Sequence, residues 1–85
     1  MKKIVMYTRP GCPFCANAKA LLEREKIPYE EIDYPSLKGE KLAELTKKLE
    51  GYRTTPMIFI GEEFIKGFQE LNQLQQSGKL KKMIK

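Results

Sequence analysis

The stretch Lys3-Ile4-Val5-Met6-Tyr7-Thr8-Arg9-Pro10-Gly11-Cys12-Pro13-Phe14-Cys15 decides how this chain folds. Lys3 to Thr8 is an apolar, β-rich run with little alternation, the pattern of a central strand buried on both faces. Arg9-Pro10-Gly11 breaks that run. Ala16, Ala18, Leu21, Leu22 and Ile27 then recur at helical spacing to about residue 26, with Pro28 as the stop. Pro13 falls at the first helical position, where its missing N–H costs nothing, so Cys12 becomes the N-cap and Cys15 enters the first turn. These are the only two cysteines, and an offset of three residues lets them meet on one helix face as a disulfide that opens and closes. The two sulfurs are unequal. Cys12 faces unpaired backbone N–H groups and the positive end of the helix dipole, whereas Cys15 lies one turn inward and more covered. Cys12 is therefore expected to be the nucleophile and Cys15 the resolving thiol. Thiols so placed have pKa values lowered from about 8.5 into the range of roughly 3.5 to 7.5. Arg9 and Lys19 push the same way if they point inward.

Outward from this segment, Tyr29 to Tyr34 reads as a short, half-exposed second strand ended by Pro35-Ser36. Leu42, Leu45 and Leu49 mark a second amphipathic helix from about residue 38, closed by Gly51 at the C′ position. Met57 to Ile60 and Phe64-Ile65 form a hairpin through Gly61-Glu62-Glu63. Lys66-Gly67-Phe68 breaks the strand pattern, Leu71 and Leu74 carry a third helix to Ser77-Gly78, and Leu80, Met83 and Ile84 suggest a short last one. The order is β-α-β-α-β-β-α plus a short C-terminal helix. A right-handed βαβ crossover followed by a hairpin gives an α/β fold, a four-stranded mixed sheet flanked by helices on both faces. That is a thioredoxin-like architecture, with the cysteines at the carboxyl end of the first strand, where open α/β sheets place ligands.

At 85 residues and 41% hydrophobic content, residues 1–85 are expected to make a single domain with one modest core. No apolar run approaches the ~20 residues that span a bilayer, and the start of the chain lacks a signal-peptide core, so the expectation is a cytoplasmic protein with no membrane role. In a reducing compartment a close cysteine pair is more often catalytic or metal-binding than a permanent bridge. The net charge of +5 comes from 16 basic and 11 acidic residues and raises a nucleic-acid reading. It is set aside because much of the excess, Lys79, Lys81, Lys82 and Lys85, sits on the terminal helix as a solvated face. No nucleic acid is expected as partner.

Three blocks resemble the glutaredoxin family along nearly the whole chain. Tyr7-Thr8-Arg9-Pro10-Gly11-Cys12-Pro13-Phe14-Cys15 is similar to the family's active-site segment, Arg53-Thr54-Thr55-Pro56 to its Arg-Thr-Val-Pro segment, and Ile65-Lys66-Gly67-Phe68 to its double-glycine turn. Leu74-Gln75-Gln76-Ser77-Gly78-Lys79-Leu80 also looks like the family's helix-to-helix junction. The resemblance implies a glutathione-dependent thiol–disulfide oxidoreductase with no tightly bound cofactor, acting as a monomer. Glutathione serves it as co-substrate, and disulfide-bearing or glutathionylated proteins are its partners. It further implies a cis Thr55–Pro56 bond facing the cysteines, with the Thr55 backbone groups turned outward toward an extended peptide-like thiol. Gly67 then permits close approach, and the N–H groups of Phe68 and Gln69 seat the γ-glutamyl carboxylate. Arg9 and Arg53 hold the carboxylate at the other end, and Pro13 and Phe14 flank Cys12, with Phe14 as an exposed aromatic wall. Tyr7 reads as core. On residue chemistry alone, Pro56 also fits as a plain strand-starting proline, Gly67 as a turn glycine, and each arginine as a surface charge. Lys66 departs from the family's first glycine, Gln69 from its small or acidic residue, and Thr55 from its valine.

The expected cycle has Cys12 thiolate attack a disulfide, after which Cys15 displaces the product and leaves a Cys12–Cys15 bridge that two glutathione molecules reduce. The alternative is a glutaredoxin-like redoxin that takes electrons from a flavoprotein, thioredoxin reductase, and feeds ribonucleotide reductase. Metal or iron–sulfur binding is a third reading, but one CxxC and no histidine supply only two soft ligands per chain. A metal site within one chain is not expected, and a purely structural disulfide is the remaining option.

Overall fold

Strand β1, Ile4–Thr8, runs through the middle of a four-stranded sheet in the computed structural model, which describes residues 2–85. Met1, which the single-domain expectation includes, lies outside the described residues. The remaining elements follow as α1 (Pro13–Arg24), β2 (Tyr29–Asp33), α2 (Gly39–Leu49), β3 (Met57–Ile60), β4 (Glu63–Lys66), α3 (Phe68–Gln76) and α4 (Lys79–Ile84). The sheet order is β2-β1-β3-β4, parallel between β1 and β2 and antiparallel elsewhere. This is the mixed sheet and element order expected from the sequence, with one addition, a short 3₁₀ turn over Tyr34–Ser36.

Side chains of β1 alternate more than its composition suggested. Ile4, Met6 and Thr8 are buried, while Val5 and Tyr7 are only half-buried. The reason lies in unequal cover. One sheet face packs Ile4, Met6, Ile58, Ile60 and Ile65 against Ala18, Leu21, Leu22, Leu71 and Leu80 of the helices. The other face is roofed by α2, through Leu45 and Leu49 on Met57 and Phe59, with Tyr7 packed at the margin of that cluster. Tyr7, expected in the core, packs at its boundary, half-buried with its ring edge-on to Phe59 at 5.9 Å.

Helix α1 keeps its expected start but not its expected end. Its buried stripe is Cys15, Ala18, Leu21 and Leu22, and Ala16 falls outside it on the exposed side. The helix closes before Pro28 through two backbone bonds, Ile27 N–H to Leu22 C=O at 2.9 Å and Lys26 N–H to Glu23 C=O at 3.1 Å. These are the paired bonds of a Schellman cap, with Lys26 at φ +58° in the position glycine usually takes and Ile27 buried beyond it. Helix α2 ends as expected, with Gly51 at φ +90° just past the cap.

Strand β4 extends one residue further at each end than Phe64-Ile65. Its pairing with β3 skips Ile65, since Phe59 faces Phe64 while Ile58 faces Lys66. The bulge puts Lys66 at φ +80° and turns the chain directly into α3. At the far end, Lys2 N–H donates to Ile84 C=O at 2.8 Å, which ties α4 back to the start of β1. Among the described residues no helix is long and apolar enough to cross a membrane.

Candidate active site

Cys12 is the N-cap of α1, in extended conformation, with Pro13 at the first helical position. Its sulfur accepts from the Cys15 backbone N–H at 3.1 Å and from the Thr55 hydroxyl at 3.3 Å. When protonated, the same sulfur donates to the Thr55 carbonyl at 3.6 Å. Either protonation state therefore has a partner, but the thiolate has more. Partial burial pushes the Cys12 thiol up, and hydrogen bonds from the Cys15 side chain, the Thr55 hydroxyl and the backbone N–H groups of Cys15 and Phe14 outweigh it, leaving the group below its ordinary value. Cys15 moves the opposite way. Burial raises it first, and the hydrogen bond to Cys12 and the Cys12 charge add to the rise against lowering contacts from the Arg9 backbone and Thr55. Cys15 is 2% exposed and Cys12 is partly accessible, and no bond joins them.

The cations expected to help play no part in this lowering. Lys19 is spent on Glu31, Nζ to Oε2 at 3.1 Å, and Glu31 also accepts from the buried Thr8 hydroxyl at 2.8 Å. Arg9 lies over the Tyr34 ring, 5.5 Å from its centre. Short-range donors, at the helix start and on Thr55, and not distant charge, lower the Cys12 thiol.

A cleft of about 570 Å³ opens beside the Cys12 sulfur. Arg9, Phe14, Arg53, Thr55, Pro56, Gly67, Phe68 and Gln69 all line it with Cys12, so segments far apart in sequence converge on one site. Pro13 and Cys15 are the exceptions among the residues singled out. Both line a second cleft, which shares Arg9 and Cys12 with the first and adds Lys19 and Glu31. The Thr55–Pro56 bond is cis. Phe14 is 60% exposed, the one large hydrophobic side chain so placed among the described residues, and it stacks on Phe68 at 6.4 Å.

Gly67 is the N-cap of α3, and a methyl group there would meet the Tyr52 hydroxyl at 2.6 Å. Glycine is required by close approach, since its φ of −116° suits any residue. The Glu70 carboxylate reaches back to accept from the Gly67 N–H at 3.0 Å. Tyr52 and Glu70 both line the cleft and were missed by sequence reasoning. Glu70 had a signal, an acidic residue three positions after a helix cap. Tyr52 had none. Among the described residues no group of three or more His, Cys, Asp and Glu side chains is placed to hold a metal ion.

The sequence pattern of the family described as Glutaredoxin matches residues 4–65. A glutaredoxin of Neisseria meningitidis serogroup B is 41% identical over 80 residues, covering 94% of this chain and 93% of that protein. The solution structure of a glutaredoxin from Brucella melitensis superposes with a TM-score of 0.81 at 40% identity, covering 100% of this chain and 90% of the other. A crystal structure of a buckwheat glutaredoxin–glutathione complex gives a TM-score of 0.81 at 26% identity, covering 98% of this chain and 76% of that one.

Proposed function

From the premise that this chain belongs to the glutaredoxin family and is a thiol–disulfide oxidoreductase, we propose that glutathione is its co-substrate and glutathione mixed disulfides its preferred substrates. The observation that carries this reading is the pairing of a partly accessible sulfur, whose thiolate its hydrogen bonds favour, with a cleft lined by groups able to bind a peptide-like thiol. Thr55 offers backbone partners to an extended thiol, the first turn of α3 offers N–H groups to a carboxylate, and Arg9 and Arg53 offer charge to the other carboxylate. The glutathione complex of the buckwheat relative supports the same assignment. Matches to proteins named glutaredoxins do not favour the redoxin alternative.

In the proposed cycle, Cys12 thiolate attacks the glutathione sulfur of a mixed disulfide. A Cys12–glutathione bond forms, the substrate disulfide breaks, and the protein thiolate leaves and takes a proton. A second glutathione thiolate then frees Cys12 and departs as oxidised glutathione. With a protein disulfide, Cys12 thiolate bonds to one substrate sulfur as the substrate disulfide breaks and its other sulfur leaves as a thiolate that takes a proton. Cys15 then gives up its proton and attacks Cys12, the mixed disulfide breaks, the second substrate sulfur leaves as a thiol, and the Cys12–Cys15 bridge forms. We place this chemistry in a reducing, cytoplasmic compartment, where glutathione restores both thiols.

Turnover of a glutathione mixed disulfide, with glutathione and glutathione reductase supplying electrons, tests the reading. Cys12→Ser is expected to lose activity on every substrate, while Cys15→Ser keeps deglutathionylation and loses reduction of protein disulfides. Equal loss from both substitutions would remove the assigned roles.

A further inference from the structure

We propose that Tyr52 is a specificity-determining residue whose phenol hydroxyl donates a hydrogen bond to the α-carboxylate of a γ-glutamyl thiol bound in the cleft. The proposal rests on the glutathione reading above and extends it to a side chain that no sequence motif marks. Three observations converge on it. The Tyr52 ring is fixed edge-on against Phe64, centroids 5.3 Å apart and planes at 77°. That contact sets its hydroxyl against the N-cap of α3, only 2.6 Å from where a Gly67 side chain would start. Tyr52 also shares the cleft wall with Arg53, Phe68 and Gln69. Among the described residues its hydroxyl takes part in none of the side-chain hydrogen bonds, so its proton is available to a ligand.

The donors here fit an anion, against the charge of the Glu70 carboxylate, whose Oε1 lies 3.7 Å from where a Gly67 side chain would start. The first-turn N–H groups of α3 have no partners within the helix and point toward the same place as the helix dipole's positive end. A carboxylate seated there needs a further donor on its open side, and a phenol is a neutral donor that costs little to order because its ring is already packed. Glu70 cannot serve, since its carboxylate only accepts and is engaged with the Gly67 N–H. A substrate without the γ-glutamyl head has nothing for Tyr52 to read.

The test compares kcat/KM for two mixed disulfides of one model thiol, one made with glutathione and the other with cysteinylglycine, which lacks the γ-glutamyl group. The wild-type chain is expected to favour the first, and Tyr52→Phe, which keeps the ring, is expected to shrink that preference on the order of tenfold, mostly through KM. A preference that survives Tyr52→Phe overturns the role of Tyr52 and leaves the glutathione reading intact. Equal loss on both substrates would also overturn it, as the mark of a structural effect. If the wild-type chain shows no preference, the glutathione reading falls and this proposal with it.

Discussion

At the scale of single residues, the chemistry rests on side chains chosen for what they leave room for as much as for what they contribute. Cys12 needs Pro13 behind it, because a helix begun there aims its first N–H groups at the sulfur. Gly67 needs to lack a side chain because Tyr52 already fills the space. Gly67→Ala is accordingly expected to destabilise the fold by about 1–3 kcal/mol, the usual range for overpacking, and combining it with Tyr52→Phe should return part of that loss. Urea denaturation of the single and double variants measures this, and additive losses would show that the two residues do not collide. The unequal placement of the two cysteines, one at the N-cap and one buried a turn inward, was legible from spacing and helix position alone. The source of the lowered Cys12 pKa was not, because nothing in the sequence says that Lys19 turns to Glu31 or that Thr55, 43 positions away, turns its hydroxyl to Cys12.

Among the elements, the ends carry most of the information that the sequence withheld. Apolar spacing located every helix and strand, but two lysines occupy left-handed positions where glycine would have signalled a cap or bulge. Lys26 closes α1 and Lys66 sits in the β4 bulge, so a reading keyed to glycine and proline assigned the first stop to Pro28. A lysine in that conformation costs roughly 1–2 kcal/mol relative to its ordinary backbone, partly offset by the greater unfolded-state freedom of glycine. Lys26→Gly and Lys66→Gly are each expected to raise stability by about 0.5–1 kcal/mol, read as a higher midpoint in urea with an unchanged slope. No gain at either position would mean that the lysine side chains hold compensating contacts. The hairpin and the α3 start were foreseen as separate features. Their junction through a bulge, which delivers Gly67 to the cleft without a linker, follows from the register of β3 and β4 and not from composition.

For the whole molecule, the sheet acts as the frame that brings three distant segments to one sulfur. Helices α1 and α3 share the larger core, and Leu71 of α3 is fully enclosed there beside Leu22 and Ile58. Leu71→Ala is expected to cost about 2–5 kcal/mol in stability and to weaken the proposed glutathione-dependent turnover more than simple alkylation of Cys12, because it loosens α3 and leaves the start of α1 in place. Alkylation and turnover falling together would mean that both helix starts depend on that core. The mixed sheet and its two-sided helical cover were readable from element order, whereas the half-open face beside Val5 and Tyr7 was not, since it depends on how much of the sheet α2 can roof. Everything functional depends on that frame holding amide and hydroxyl donors around Cys12. The direct measurement is the rate of iodoacetamide alkylation of the reduced wild-type chain across pH, with Cys15 shielded by burial. The account predicts a half-maximal rate well below the pH at which an ordinary cysteine ionises, followed by a plateau; a rate that keeps climbing into alkaline solution, as for free cysteine, would contradict it.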